Sequence, residues 1–304
     1  MKKKIIIAFT TFLTLALFAV QDNNVYSFDG NEPASYLGAE KIQTYHDTQN
    51  NLSVFNIVVN GDSVKNFSTF PEAVAYASNY ENSYVISALN GAVIWSNSTV
   101  LEDKVNLYVP FVSQRSLARG SQVAALTMLL NHAGIDVDII TLAHQLRKDP
   151  TQREIINGVV HSGNPYYGFV GDIFNYENYG FRVFAPPIFE LMQNYLPYES
   201  VNLTGANFED LLFLLNRGFP ILVITNFNHN LLREHDFVTW QTSDGYIRTT
   251  YWLHAVVVTG YDDDYIYLRD SFGKQTHSAR HQFIDAWEEM GRQAISYVNS
   301  EPLS

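Results

Sequence analysis

Residues 109–130 read VPFVSQRSLARGSQVAALTMLL, and this stretch decides how most of the chain is interpreted. From Gly120 onward, a helix is predicted by residues that recur at helical spacing on one face, namely Val123, Ala124, Thr127, Met128 and Leu130. Gly134 is expected to end this helix, because glycine adopts the left-handed conformation that closes helices. Ser121 would then stand at the start of the helix, where unpaired backbone N–H groups stabilise negative charge.

The position of Ser121 suits a nucleophile, and three further side chains could complete a catalytic site around it. Gln114, seven positions earlier, could donate a side-chain N–H to an oxyanion. His254 opens an apolar strand, and Asp270 is reached as the next strand ends. Adjacent antiparallel strands could bring these two side chains together, so that the aspartate orients the imidazole.

The order of elements predicts an α+β domain over residues 107–300. The pattern predicts helices at 208–216 and 280–290, a buried strand at 221–225, a hairpin from 237–240 and 246–249, and paired strands at 254–260 and 265–268. Helices come first and strands later, which is typical of segregated layers and not of alternating βαβ units.

A second, smaller module is predicted over residues 52–98. Its pattern is βαββ: a strand, a helix capped by Ser68 or Thr69, and a hairpin whose turn is Asn90-Gly91. The segment carries no paired acids, histidine cluster or glycine-rich loop. A structural or docking role is therefore favoured over a catalytic one.

The N-terminus has the pattern of an export signal. Residues 1–20 place three lysines before an apolar run, and cleavage near Ala19 and retention as an uncleaved anchor both remain open. Residues 21–51 are polar and irregular, which predicts a flexible tether. We expect a bacterial protein that is secreted or held on the outer face of the cell membrane. It would contact the membrane only through an uncleaved N-terminal segment.

Composition narrows the functional classes. The chain has 304 residues, of which 46% are hydrophobic and 16% charged, so intrinsic disorder is excluded. The formal net charge of -12 makes nucleic acid an unexpected partner, because such a surface repels phosphate backbones. The chain contains no cysteine, which excludes disulfides, thiolate metal sites and a cysteine nucleophile.

Several segments of the larger domain resemble the family 39 cysteine peptidases, the double-glycine leader peptidases and their free-standing, exported relatives. In that family the nucleophile segment reads Val-Pro, then Gln, then Gly-Cys-Glu opening a helix that ends in Met-Leu-Leu. Residues 164–172 (NPYYGFVGD) and 185–188 (APPI) resemble its middle region, and residues 254–262 (HAVVVTGYD) are similar to its histidine segment. The similarity covers about residues 107–298.

The resemblance implies a papain-like fold with a Cys–His–Asp site and a glutamine that donates to the oxyanion. Carried over to this chain, those roles fall on Ser121, His254, Asp270 and Gln114. The nucleophile position thus holds a serine where the family pattern has cysteine. The acid that follows it is replaced by Gln122, and the family's Asn-Asp-Pro reads Arg-Asp-Ser at residues 269–271.

These departures leave the fold unaffected but change the chemistry, because a serine hydroxyl ionises far less readily than a thiol. The favoured hypothesis is a catalytically silent, peptidase-like protein that binds a peptide or cell-wall-derived ligand. One alternative is a weak serine-dependent peptidase or amidase that uses Ser121, His254 and Asp270. An unrelated use of the same fold is another alternative.

Other candidate sites are weaker, and neither a metal nor a cofactor is expected. His277 and His281 could share a helix face as metal ligands, but they lack a third ligand and are interpreted as a surface pair. The aspartates at 262–264 lack the spacing of a calcium loop. The polar loop at 229–236 is interpreted as solvated. Four aromatic residues could line a cleft but are more simply core, namely Tyr166, Tyr167, Phe169 and Trp240.

Overall fold

A computed structural model describes residues 54–273 and 276–299. The predicted signal or anchor at 1–20 and the predicted tether at 21–51 lie outside these residues. Within the part that is described, no helix is both long and apolar enough to cross a membrane.

The N-terminal module is a four-stranded antiparallel sheet with one helix packed on it. Its elements are β1 (Phe55–Val59), β2 (Asp62–Phe67), α1 (Phe70–Ala77), β3 (Ser83–Ser87) and β4 (Val93–Ser96), and the strands lie in the order β2-β1-β3-β4. The module contains one strand more than the predicted βαββ pattern. The additional strand, β2, follows a turn in which Asn60 and Gly61 have φ values of 51° and 92°. Two successive left-handed residues form the two-residue turn that matches strand twist.

The larger region begins with one short strand and two helices, and most of its longer strands come in its second half. Its helices are α2 (Ser121–His132), α3 (Ile139–Gln145), α4 (Ala185–Gln193), α5 (Phe208–Asn216) and α6 (Arg280–Glu289). Its strands are β5 (Val105–Asn106), β6 (Lys148–Asp149), β7 (Glu154–Ile156), β8 (Val159–His161), β9 (Phe169–Val170), β10 (Ser200–Asn202), β11 (Ile221–Asn226), β12 (Phe237–Thr242), β13 (Gly245–Thr250), β14 (Leu253–Tyr261), β15 (Tyr265–Arg269), β16 (His277–Ala279) and β17 (Ala294–Tyr297).

A seven-stranded sheet carries the strands of the predicted site. Its order is β10-β17-β11-β14-β15-β16, and β5 pairs with the far end of β14. That end can pair with β5 because Gly260 has no side chain: a Cβ there would lie 1.9 Å from the carbonyl oxygen of Val105. A second sheet has the order β13-β12-β8-β7, and β6 pairs with β9 alone.

Helix α2 is buried on all sides, whereas the sequence pattern predicts only one buried face. Every residue from Ser121 to Leu130 is buried, because the helix packs against β14 and β11 on one side and against α3 and α4 on the other. The predicted C-terminal glycine is confirmed. Gly134 has a φ of 85° and donates to the carbonyl of Asn131, while Ile135 donates to that of Leu130. This is the Schellman arrangement, which satisfies the last carbonyls of a helix.

The N-terminal module packs against α5. The indole nitrogen of Trp95 donates to Asp210 over 3.2 Å, and Arg217 donates to the carbonyl of Val93 over 2.8 Å. The side chain of Asn90 also donates to the carbonyl of Val298, 2.9 Å away. Apolar residues of the module belong to the same continuous core as those of the larger region. The predicted boundary between residues 98 and 107 stays a prediction.

Candidate active site

Ser121 is the first residue of α2 and is 1% exposed. It follows Gly120, where a Cβ would lie 2.6 Å from the side chain of Leu117, so only glycine fits without displacing that leucine. The Ser121 hydroxyl donates to the amide oxygen of Gln122 over 3.1 Å. No histidine among residues 54–273 and 276–299 is hydrogen bonded to it.

Gln114 lies at the start of a short 3-10 turn and is buried. Its side-chain oxygen accepts a hydrogen bond from the hydroxyl of Ser271 over 2.7 Å, and its backbone N–H donates to the carbonyl of the same residue over 3.3 Å. An amide whose oxygen is fixed in this way has its NH₂ group left to donate. The two bonds also join the segment before α2 to the residue that directly follows Asp270.

His254 and Asp270 are in direct contact. The imidazole Nε2 lies 2.9 Å from a carboxylate oxygen of Asp270, and His254 is completely buried. The imidazole stacks on Phe227, with centroids 4.2 Å apart, and lies parallel to Phe272 at 5.9 Å. Its other nitrogen, Nδ1, is buried without a hydrogen-bond partner. If Nε2 carries the proton and donates to Asp270, Nδ1 has a free lone pair and can act as a base.

Asp270 is held in its charged form. Burial is the largest influence on its pKa and raises it, but the hydrogen bond and the charge of His254 outweigh burial, so the pKa lies below its ordinary value. The backbone N–H of Phe272 adds a second hydrogen bond of 2.7 Å to the carboxylate. The site therefore keeps an ionised aspartate that orients the imidazole.

A second histidine lies beside this pair, and the sequence interpretation of it is wrong. His229 was expected in a solvated loop, yet it is 1% exposed and neither ring nitrogen has a hydrogen-bond partner. Burial first, and then the charge of His254, lower its pKa to about 4, although Asp270 acts in the opposite sense. Its ring packs edge-on against Phe283. It follows the end of β11, and no local sequence signal distinguishes it from the polar residues around it.

The remaining candidates do not join the site. Of the proposed aromatic wall, Tyr166, Phe169 and Trp240 are buried in the core. His277 lies on β16 and His281 on α6. No group of three or more histidine, aspartate or glutamate side chains in residues 54–273 and 276–299 is arranged to hold a metal. The roles of Ser121, His254, Asp270 and Gln114 stay predictions.

The buried His229 predicts an acid-sensitive stability. An unfolded histidine titrates near 6.5, so between that pH and the folded value near 4 the unfolded chain binds more protons. The free energy of unfolding should therefore fall as the pH drops through this range, by up to about 1.4 kcal/mol per pH unit. His229→Gln should flatten the profile, measured by urea unfolding from about pH 7 to about pH 4.

His132→Gln is the matched control for this prediction. Burial also lowers the pKa of His132, but its ring is only partly buried, so its replacement should flatten the profile less. Equal slopes for the unmodified chain and His229→Gln would contradict the prediction.

Comparison with known proteins agrees with this architecture. Residues 106–295 match the family model described as the Peptidase_C39 like family. The uncharacterized protein YvpB of Bacillus subtilis strain 168 is 39% identical over 180 residues, which are 59% of this chain and 69% of that protein. A crystal structure of a provisionally assigned C39-like peptidase from Bacillus anthracis is 40% identical, with a TM-score of 0.60, and covers 66% of this chain and 100% of that one.

These findings confirm the predicted α+β, papain-like fold and the resemblance drawn from the sequence. They also fit the replacement of the nucleophile, since the chain has no cysteine. The protein therefore belongs to the Peptidase_C39 like family, and its chain contains no cysteine.

Proposed function

We propose that this protein is an exported pseudopeptidase that binds a peptide or cell-wall-derived ligand in the cleft of its peptidase fold without turning it over. One observation carries the proposal: the Ser121 hydroxyl donates to Gln122 and not to His254, whose Nδ1 has no partner. The hydrogen bond that would activate a serine nucleophile is therefore not formed.

The chemistry of serine explains why the site is silent. A cysteine beside an imidazole at a helix start exists largely as thiolate at neutral pH, so attack requires little further proton transfer. A serine must instead lose its proton during the attack, and this requires a base in hydrogen-bond contact with it. Ser121 lacks that contact.

The rest of the site is suited to holding a polar ligand. Gln114 is fixed by Ser271 with its NH₂ group left to donate, and His254 offers an unpartnered nitrogen. Buried polar atoms without partners are unfavourable by about 1–3 kcal/mol, and a bound ligand that pairs with them removes that penalty. This supports binding as the retained activity.

A weak serine-dependent peptidase or amidase is the second candidate. It is favoured by the intact contact between His254 and Asp270 and by the lone pair available on Nδ1. Ser–His–Asp constellations catalyse acyl transfer on other folds. For this candidate to hold, the Ser121 hydroxyl must leave Gln122 and turn toward His254.

Ser121→Ala separates the two candidates. If the site only binds, this change should leave the affinity for a pool of N-acetylated hexapeptides within about tenfold, or about 1.4 kcal/mol, and no hexapeptide should be cut before or after it. Retention is measured by equilibrium dialysis, and cleavage is measured by mass spectrometry. His254→Gln is the partner variant, because a glutamine can still donate to Asp270. Cleavage by the unmodified chain that falls several hundredfold in both variants would establish the serine hydrolase instead.

Ser121→Cys tests whether this position is built for a nucleophile. The start of α2 should favour a thiolate, and so should His254, which the family pattern places beside the nucleophile, so the thiol pKa should lie well below about 8.5. The chain has no other cysteine, so the rate of alkylation by iodoacetamide against pH reports this thiol alone. Adding His254→Gln should raise the pKa of this thiol, because the imidazole that favours the thiolate is removed.

Ser243→Cys is the matched control for the thiol experiment, because Ser243 is exposed in the turn between β12 and β13. Its thiol should titrate near about 8.5. The same value for Ser121→Cys would mean that Ser121 does not occupy a papain-like nucleophile position.

Export rests on the charged start and the apolar run of residues 1–20. Fractionation of the producing cell, with an antibody against the whole chain, should find the protein in the medium or on the outer membrane face. Recovery of the full-length chain from the cytosol would contradict export and leave the binding proposal standing.

A further inference from the structure

The side chain of Arg182 lies next to the stacking partner of His254. Its guanidinium carbon is 5.6 Å from the centroid of the Phe227 ring, and that ring stacks on His254 at 4.2 Å. One terminal nitrogen donates to the carbonyl of Tyr251 over 2.9 Å, but Nε is buried without a hydrogen-bond partner. A charged donor beside Phe227 is therefore unused.

Arg119, two residues before Ser121, also lies close to the segment that leads to Arg182, because a Cβ at Gly180 would be 3.0 Å from both the Cδ and the NH1 atom of Arg119. Its NH1 atom donates to the carbonyls of Asp172 and Asn175, at 3.2 and 3.1 Å. Burial first, and then the charge of Arg119, lower the pKa of Arg182 to about 10. The two guanidinium groups are thus close enough to repel each other.

No carboxylate neutralises this pair. Within the described ranges, neither Arg119 nor Arg182 takes part in an ion pair. The carboxylate of Asp172 is used inside its own loop, where it accepts from the backbone of Phe174 and Asn175 and from an Asn178 side chain. Partly buried charge without a counter-ion is unfavourable until one binds.

We propose that Arg119 and Arg182 form a carboxylate-binding subsite beside Ser121 and His254. Guanidinium groups match carboxylates in geometry and charge, and an otherwise acidic surface would confine such ligands to this spot. The ligand then carries a free carboxylate, either at a peptide C-terminus or on an acidic side chain. The inference rests on the proposed function, because it names the chemical class of the ligand bound in that cleft.

The test uses three small probes and the Nε–H signal of Arg182 in nitrogen-15 NMR spectra of the full chain. N-acetylalanine carries a C-terminal carboxylate, N-acetylglutamic acid α-amide carries only a side-chain carboxylate, and N-acetylalanine amide is neutral. At least one carboxylate probe should shift the Arg182 signal with an affinity at least about tenfold above that of the amide. The stronger of the two identifies the source of the carboxylate.

Two comparisons make the result specific to the subsite. Arg217 also donates to a carbonyl and lies over an aromatic ring, but against the N-terminal module, so its signal should not move. Arg119→Gln should weaken carboxylate binding by about tenfold, and Arg119→Lys should restore only part of it, because the charge returns without the planar guanidinium.

The subsite proposal would be overturned if neither carboxylate probe shifts the Arg182 signal, or if the neutral amide shifts it equally. An affinity unchanged by Arg119→Gln would also overturn it. Neither result affects the proposed function, because retention of hexapeptides is measured separately. Conversely, a carboxylate response in a chain that retains no hexapeptide would contradict peptide binding and leave the subsite intact.

Discussion

The packing of α2 against β14 is the constraint on which the rest of the structure depends. Helix α2 is buried along its length, and Ser121 is its first residue. The same packing fixes His254, the second residue of β14, opposite Thr225 of β11. Close packing also constrains two glycines near these elements. Neither Gly120, which precedes α2, nor Gly260 of β14 has room for a Cβ. The site is therefore a consequence of the core and not an addition to it.

Burial also sets the electrostatics of this region. Asp270 remains charged because His254 and a backbone N–H compensate for its burial. His229 has no such compensation, so burial keeps it neutral. Arg182 cannot become neutral near physiological pH, even with its pKa lowered to about 10. Of these three groups, only Arg182 carries a charge without an opposite charge beside it. The proposed ligand carboxylate would supply that opposite charge.

Sequence periodicity and turn chemistry predict β11, β14 and β15 of the main sheet, helix α5 and the helix that carries Ser121, because these depend on local patterns. Strand β2, which the βαββ prediction omits, was also predictable, because Asn60-Gly61 has the same turn signature as Asn90-Gly91. The same signature, Asn157-Gly158, lies between β7 and β8. What sequence could not supply was tertiary burial. Nothing local shows that His229 is enclosed, that α2 is covered all round, or that the hydroxyl of Ser121 turns to Gln122.

Two departures from the family pattern, at Ser271 and Gln122, have the same structural effect. Where that pattern has proline after the aspartate, this chain has Ser271, whose hydroxyl fixes the amide of Gln114. A proline could not donate that bond. Where the pattern has glutamate after the nucleophile, Gln122 accepts from Ser121. Both replacements supply hydrogen-bond partners to side chains of the predicted site, and together they stabilise its resting geometry. An active serine enzyme needs Ser121 free to meet His254, so these bonds support the proposal that the site binds a ligand without turning it over.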